Sequence, residues 1–247
     1  MRLSIAGGSH AGLLRHRNED AFLLLPEERL LCVADGMGGH ASGEVAARIA
    51  VEEMADFFRL TARDVAAGTC QEERLLTGVR RANQRIRERA ALELPLRGMG
   101  TTLVCALFPE GEPAALIGHV GDSRAYLFRQ GMLRRLTEDH SLVNELVKAR
   151  QIAPHEAEEH PYRNVISRAL GMRDQVDVDV SRVPLETGDA VLLCCDGLTG
   201  MLPDQMLARI LRATRGDLSR SVDALIQAAN EAGGVDNVTC VVAQVDD

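Results

Sequence analysis

The sequence predicts an α+β fold in four layers, α-β-β-α, with two antiparallel sheets face to face and helices on both outer faces. Three observations predict it. Strand-like runs come in clusters joined by hairpin turns and do not alternate one-for-one with helices. Two long stretches of helical apolar spacing follow the first cluster, and two more precede the last strand. Hydrophobic residues make up 46% of the 247, enough to bury a full core. Aromatics are 3% and Trp is absent, so Leu, Val, Ile and Ala must fill that core.

Strands are expected at about Leu3–Ala6, Asp20–Leu25 and Arg29–Ala34. The glycine-rich turn "DGMGGHASG" follows, then "EVAARIAVEEMADFFRL" with helical periodicity. A second helix is expected from about Glu72 to Leu92. "TTLVCALF" reads as a strand and "EGEP" as a turn. "AALIGHVGDSRAYLFRQGMLRRL" reads as a meander with turns at Gly121-Asp122 and Gln130-Gly131. Leu142 to Gly171 is polar and holds Pro154 and Pro161, so short helices and loop are expected there, a flap outside the core. "VDVDV" and "AVLLCC" are strands, helices start near Pro203 and Leu218, and "NVTCVVAQV" closes the chain as a strand. No Pro/Gly/Ser-rich linker divides the chain, so one domain over residues 1–247 is expected.

Composition excludes several classes. A net charge of -8 argues against a nucleic-acid surface, which needs a basic patch. No pair among Cys32, Cys70, Cys105, Cys194, Cys195 and Cys240 has CxxC spacing, against a zinc site. Most lie in apolar runs, where a reduced cysteine acts as a small hydrophobe. "MRLSIAGGSH" lacks a signal-peptide apolar stretch, and the apolar runs fall short of the roughly 18 residues of a membrane span. A reduced, cytoplasmic protein without membrane insertion is expected.

The acids carry the functional signal. "LLCVADGMGG" and "VLLCCDGLTG" both run from apolar residues into Asp-Gly, at Asp35 and Asp196, and Asp-Gly occurs nowhere else. Asp122 follows "ALIGHVG", Asp236 precedes the last strand, and Glu19 and Asp20 open the second. Any one of these suits an ordinary strand end or turn. As a set they converge if the strand ends are neighbours, and carboxylates about 4 Å apart repel by about 4 kcal/mol at an effective dielectric near 20. A cation relieves that, and an all-oxygen set suits Mg²⁺ or Mn²⁺. The glycines are expected to let the backbone turn sharply, and Gly36 to offer its carbonyl unobstructed. A carboxylate-bridged metal pair suits in-line displacement on a phosphate ester. Arg15, four residues before Glu19, has the guanidinium fork that fits phosphate oxygens. "DGMGGHASG" lacks the Lys-Ser/Thr ending of a P-loop.

"GLLRHRNEDA", "ADGMGGHASGEVAA", "GTTLV", "GHVGDSRAYL", "LTEDHSLV", "NVISRALG", "LLCCDGLTG" and "DNVTCVV" stand in an order that resembles the bacterial branch of the PPM family, the metal-dependent protein serine/threonine phosphatases. The resemblance spans nearly the whole chain. It implies two antiparallel sheets flanked by helix pairs, and hydrolysis of phosphoserine and phosphothreonine by a hydroxide bridging two Mn²⁺ or Mg²⁺ ions. By position, Asp35 resembles the bridging carboxylate, Gly36 the carbonyl donor to the second metal, and Asp196 and Asp236 the remaining ligands of the first. Glu19 resembles the acid that holds a metal-bound water, Arg15 the phosphate-binding arginine, and Asp122, with Asp196 shared, a ligand of a weaker third ion. Asn237 matches a residue that orders the loop. Many eukaryotic members carry a histidine where this chain has Met37; His40 is a weak substitute, His140 reads as structural, and the general acid stays unassigned. The resemblance also implies phosphorylated proteins as substrates and a Hanks-type serine/threonine kinase as opposing partner, with the phosphatase acting as a monomer. The rivals are a phosphatase dedicated to one regulator, a silent phosphoprotein-binding pseudophosphatase, and a two-metal phosphodiesterase or nuclease. The retained acids count against the second and the negative charge against the third.

Overall fold

A computed structural model describes residues 1–38, 42–63 and 70–246. His40, and with it the middle of the glycine-rich turn, lies outside the described residues. The chain opens with β1 (Arg2–His10), β2 (Asp20–Leu25) and β3 (Leu30–Met37), followed by α1 (Ser42–Leu60) and α2 (Gln71–Leu92). Then come β4 (Gly100–Thr101), β5 (Leu103–Leu107), β6 (Ala114–Val120), β7 (Arg124–Arg129) and β8 (Met132–Arg135). Two short helices, α3 (Leu142–Lys148) and α4 (Pro154–Glu159), occupy the polar segment. β9 (Asp179–Pro184) and β10 (Ala190–Cys194) lead to α5 (Asp196–Thr199), α6 (Asp204–Ala213), α7 (Leu218–Glu231) and β11 (Val238–Asp246).

The strands form two antiparallel sheets, ordered β1-β11-β10-β7-β8 and β2-β3-β5-β6-β9, with β4 paired to the end of β3. β9 starts three residues later than "VDVDV" implies. Asp179, opposite His119, is the first residue paired with β6, and residues 176–178 form no ladder with it. Val176 and Val178 are still partly buried, which explains their alternation without a ladder.

Three apolar clusters make the four layers. Leu30, Cys32 and Ala34 of β3 face α1 and α2, while Leu31 and Val33 face the other sheet. On β10, Val191 and Leu193 face the β2-β3-β5-β6-β9 sheet while Leu192 and Cys194 face α6 and α7. The central strands are buried on both faces, so they read as unbroken apolar runs. Five of the six cysteines are buried in these layers and all are free thiols.

The two Asp-Gly pairs correct one expectation. Gly36 is still inside β3 and Gly197 is inside α5, and neither has a left-handed backbone. What they supply is space. A Cβ on Gly36 would lie 2.2 Å from the Gly43 carbonyl oxygen and 2.5 Å from that of Glu19. One on Gly197 would lie 1.9 Å from the Asn237 carbonyl oxygen. Backbone atoms cannot swing aside as a flexible side chain can. Gly36→Ala and Gly197→Ala should each lower the unfolding free energy by about 1–3 kcal/mol or more, as overpacking does. Urea denaturation checks this, and an unchanged midpoint in either variant would contradict the close approach.

Candidate active site

The site is the point at which the inter-sheet face turns from apolar to polar. Strand side chains alternate, so one face can be followed residue by residue. On β3 the inward series Leu31, Val33 continues to Asp35; on β2 the inward Phe22 and Leu24 are preceded by Asp20. Asp20 and Asp35 are cross-strand partners. The same step takes β5 from Val104 to Thr102, β7 from Ala125 to Ser123, β10 from Leu193 to Cys195, and β11 from Val241 to Thr239. A ring of polar side chains therefore closes one end of the sandwich.

These polar groups hold one another in line. Asn18 donates to Ser9 Oγ at 2.6 Å, and the Ser9 and Thr239 hydroxyls lie 2.6 Å apart. Thr239 in turn donates to Asp20 Oδ2 at 2.6 Å. The Asp35 backbone is pinned on both sides. Its N–H donates to Thr102 Oγ1 at 3.0 Å, and its carbonyl accepts from Thr101 Oγ1 at 2.8 Å and Thr102 N at 2.9 Å.

The carboxylates themselves are not neutralised to match. Asp20 Oδ1 and Asp122 Oδ1 are buried with no hydrogen-bond partner among the described residues. Burial, with the nearby acids adding to it, pushes Asp20 and Asp122 up to about 7. It drives Asp35 well above the ordinary range, helped by the charges of Asp20 and Asp196, and it also raises Asp196 and Glu19. Asp35 and Asp196 lie close enough that each carboxyl acts on the other's proton affinity. The Arg124 guanidinium, two residues from Asp122, is taken up by Asp139 at 2.7 Å.

Asp236 and Arg15 form an ion pair at 2.7 Å at the exposed side of the cluster. Arg15 projects from the 11–19 loop, which is tied to the start of β11. The Leu13 and Leu14 N–H groups donate to Gly234 O, at 2.7 and 3.3 Å. The Glu19 carbonyl accepts from Gly36 N at 3.2 Å, and its side chain lies against Gly43 in the first turn of α1. Thus Glu19, Gly36, Asp35, Asp196 and Asp236 are brought together by both sheets.

Asp122 lies on the far side, at the turn between β6 and β7. His140 fixes that turn: Gly121 N–H donates to its Nδ1 at 3.1 Å, and its own N–H donates to the Gly121 carbonyl at 2.9 Å. With Nδ1 accepting, the proton sits on Nε2, which faces Asp179 Oδ2 at 3.3 Å. His140, His119 and Asp179 lie close enough to suggest a second metal cluster. The donor chemistry argues otherwise. The His140 Nδ1 lone pair is taken by Gly121 N–H, its Nε2 carries the proton, and Arg168 already pairs with Asp179 at 2.9 Å. Asp122 and Asp196 line a groove of about 1000 Å³ together with Ser141 and with Asn144, Arg163 and Asn164 of the polar segment.

The residues present fit hard divalent cations. The donors are carboxylate oxygens, two of them orphaned, beside a glycine carbonyl. Cys195 Sγ comes near Asp20 and Asp35, but it accepts from Thr239 N at 3.1 Å and faces the Asn237 carbonyl at 3.4 Å. Burial raises its thiol well above the ordinary value, so it stays protonated. Sequence reasoning placed Asp20 beside Glu19 but did not give it a role. The period of two along "DAFLLL" was the available signal, since it puts Asp20 on the face of Phe22 and Leu24.

Comparison with known proteins agrees with this geometry. The protein phosphatase 2C family model matches residues 9–242. The serine/threonine phosphatase stp of Listeria monocytogenes is 40% identical over 242 residues, covering 95% of this chain and 93% of that protein. The crystal structure of the Mycobacterium tuberculosis serine/threonine phosphatase PstP superposes with a TM-score of 0.89 at 38% identity, covering 99% of each chain. A structure of the PstP catalytic domain in complex with two manganese ions gives a TM-score of 0.86 at 37% identity, again covering 99% of each chain. With its fold, its clustered acids and its match over nearly the whole length, the chain belongs to the protein phosphatase 2C family of metal-dependent serine/threonine phosphatases.

Proposed function

We propose that Asp35, Gly36, Asp196 and Asp236 hold a pair of Mn²⁺ or Mg²⁺ ions, that Glu19 orients water at that pair, and that Arg15 binds the substrate phosphate. Asp122, with Asp196, serves a weaker third ion. The observation that carries this is the packing of Asp20, Asp35, Asp122 and Asp196 at one end of the inter-sheet core with two orphaned carboxylate oxygens. Such a cluster is unfavourable unless protonated or occupied by cations. Bound there, the ions supply an ionised water at neutral pH and positive charge for in-line displacement at phosphorus.

The chain's own residues then have separable tasks. Asp35 has its backbone pinned by Thr101 and Thr102, so its carboxylate would be offered to the ions from a fixed point on β3. Gly36 adds a carbonyl, and its lack of a side chain keeps Glu19 and Gly43 close. Arg15, exposed and now paired to Asp236, is within reach of an incoming phosphate and can exchange one anion for another. The substrates are phosphoserine and phosphothreonine proteins. The groove beside Asp122, with the 142–171 flap as its wall, receives the polypeptide around the phosphorylated residue. A Hanks-type kinase supplies that phosphoprotein. We further propose that residues 1–247 act as one catalytic domain, as a monomer in the cytoplasm. The three continuous apolar clusters support the first point. Among the described residues no helix is long and apolar enough to cross a membrane.

Hydrolysis of p-nitrophenyl phosphate tests the assignment: activity should require Mn²⁺ or Mg²⁺ and vanish in EDTA. Asp35→Asn should lower kcat/KM by more than about a hundredfold. It should leave a folded chain whose melting temperature in EDTA is no lower than the parent's, because Asn has the shape of the neutral carboxyl that burial favours there. Full activity of Asp35→Asn would remove Asp35 from the centre.

Asp122 separates from this core set. Asp122→Ala should keep strong Mn²⁺ binding in calorimetry while turnover of a phosphopeptide falls. Normal specific activity with a lower melting temperature would make Asp122 a turn residue only.

The raised carboxylates also set a pH dependence. Protons held by Asp20 and Asp122 stabilise the folded chain fully below the unfolded value of 3.8, and this is lost as pH rises through about 7. Metal ions compete with those protons. The rise in melting temperature on adding Mn²⁺ in place of EDTA should therefore be larger at pH 8 than at pH 6. Equal shifts at both pH values would contradict a carboxylate site.

A further inference from the structure

Every polar atom of Asn237 is engaged, and its partners flank the residues that do the chemistry. Nδ2 donates to the carbonyls of Ala11, at 3.0 Å, and Arg17, at 2.8 Å. Oδ1 accepts from the Glu19 N–H at 2.8 Å. The backbone N–H donates to Asp236 Oδ1 at 2.8 Å, and the carbonyl faces the Cys195 thiol. The side chain is buried, at 6% exposure. The two carbonyls and one N–H also fix the amide orientation: reversed, it would oppose oxygen to oxygen and N–H to N–H.

The geometry points to Asn237 as a positioning residue for Arg15. Ala11 and Arg17 bracket the exposed run that carries the guanidinium, and one amide holds both ends of that run. The same backbone places Asp236, the present partner of Arg15, one residue away. Without the amide, the loop keeps its Leu13 and Leu14 bonds to Gly234 at one end but loses its closure at the other. Arg15 would then sample positions away from the phosphate, and each binding event would have to order it again. This rests on the reading of Arg15 as the phosphate-binding residue.

Asn237→Asp is the sharpest variant. It keeps the shape and the acceptor for Glu19 N–H, but sets a carboxylate oxygen against two carbonyls. KM for p-nitrophenyl phosphate in saturating Mn²⁺ should rise about tenfold, the lower end for a residue supporting a site. In an Arg15→Ala background the same change should add no more than about twofold, because its route of action is already gone. Limited trypsin digestion reads the loop without any activity: cleavage after Arg15 or Arg17 should appear in Asn237→Asp and be absent from the parent. Mn²⁺ affinity by calorimetry separates loss of metal from loss of loop order. An equal penalty in both backgrounds, or an unchanged KM in a folded Asn237→Asp, overturns the proposal while leaving Arg15 in place. An unchanged KM in Arg15→Ala removes the reading of Arg15 and this proposal with it. If Asn237→Asp and Asn237→Ala both fail to fold, Asn237 is a folding element and the proposal falls.

Discussion

The structure depends on one electrostatic constraint: four acids lie where two apolar sheets meet, and the protein gives them too few cations. Two carboxylates about 4 Å apart in such surroundings cost about 4 kcal/mol if both are charged. Asp20 and Asp35 face each other across adjacent strands, and the charge of Asp196 acts on Asp35 as well. Ordinary strand-end acids would turn outward to water. Asp20 and Asp35 cannot, because strand alternation and register commit them to the inter-sheet face, and Asp122 and Asp196 lie just beyond strand ends, at the β6–β7 turn and at the first residue of α5. The cluster is thus a built-in instability that protons or metal ions relieve.

The surrounding residues make sense as devices that keep the acids there. Threonine hydroxyls from β4, from its junction with β5 and from β11 pin the Asp35 backbone and one Asp20 oxygen, yet leave the other Asp20 oxygen free for a ligand. Glycines 36 and 197 let backbone meet backbone, so that Glu19, Asn237 and the two Asp-Gly segments nest within contact distance. His140 holds the Asp122 turn through two backbone hydrogen bonds while its ring stays neutral, with burial lowering its proton affinity. Each device acts on backbone or on a single lone pair. None supplies a full positive charge.

Much of this was legible in the sequence because it is local. Apolar runs ending in Asp-Gly marked Asp35 and Asp196, and strand clusters joined by turns gave the layers. The resemblance carried Arg15, Glu19, Asp122 and Asp236 to positions that the fold does gather. What was not legible depends on partners distant in the chain. Asn237 bonds to Ala11, Arg17 and Glu19, more than 200 residues earlier, and no spacing rule reports that. β9 starts where its pairing with β6 starts, at Asp179 opposite His119, and not where its own alternation begins. The glycines were read as turn formers because Asp-Gly is turn chemistry; the close approach that requires them exists only after folding.

The site also links the halves of the fold. Asp20 and Asp35 belong to the sheet that packs on α1 and α2, whereas Asp196 and Asp236 follow and precede strands of the sheet that packs on α6 and α7. Asp122 sits at the crossing, after β6 of one sheet and before β7 of the other. Cations held by this set would tie together two layers that otherwise meet mainly through apolar side chains and a few hydroxyl hydrogen bonds such as Thr239 to Asp20. Ligand binding to the folded state alone adds stability in proportion to the logarithm of ligand concentration over Kd. Because these acids come from both sheets, stability gained from ions bound to them would act on the mutual packing of the sheets and not on either sheet separately. The ions that the proposed chemistry needs would therefore also close the open end of the sandwich.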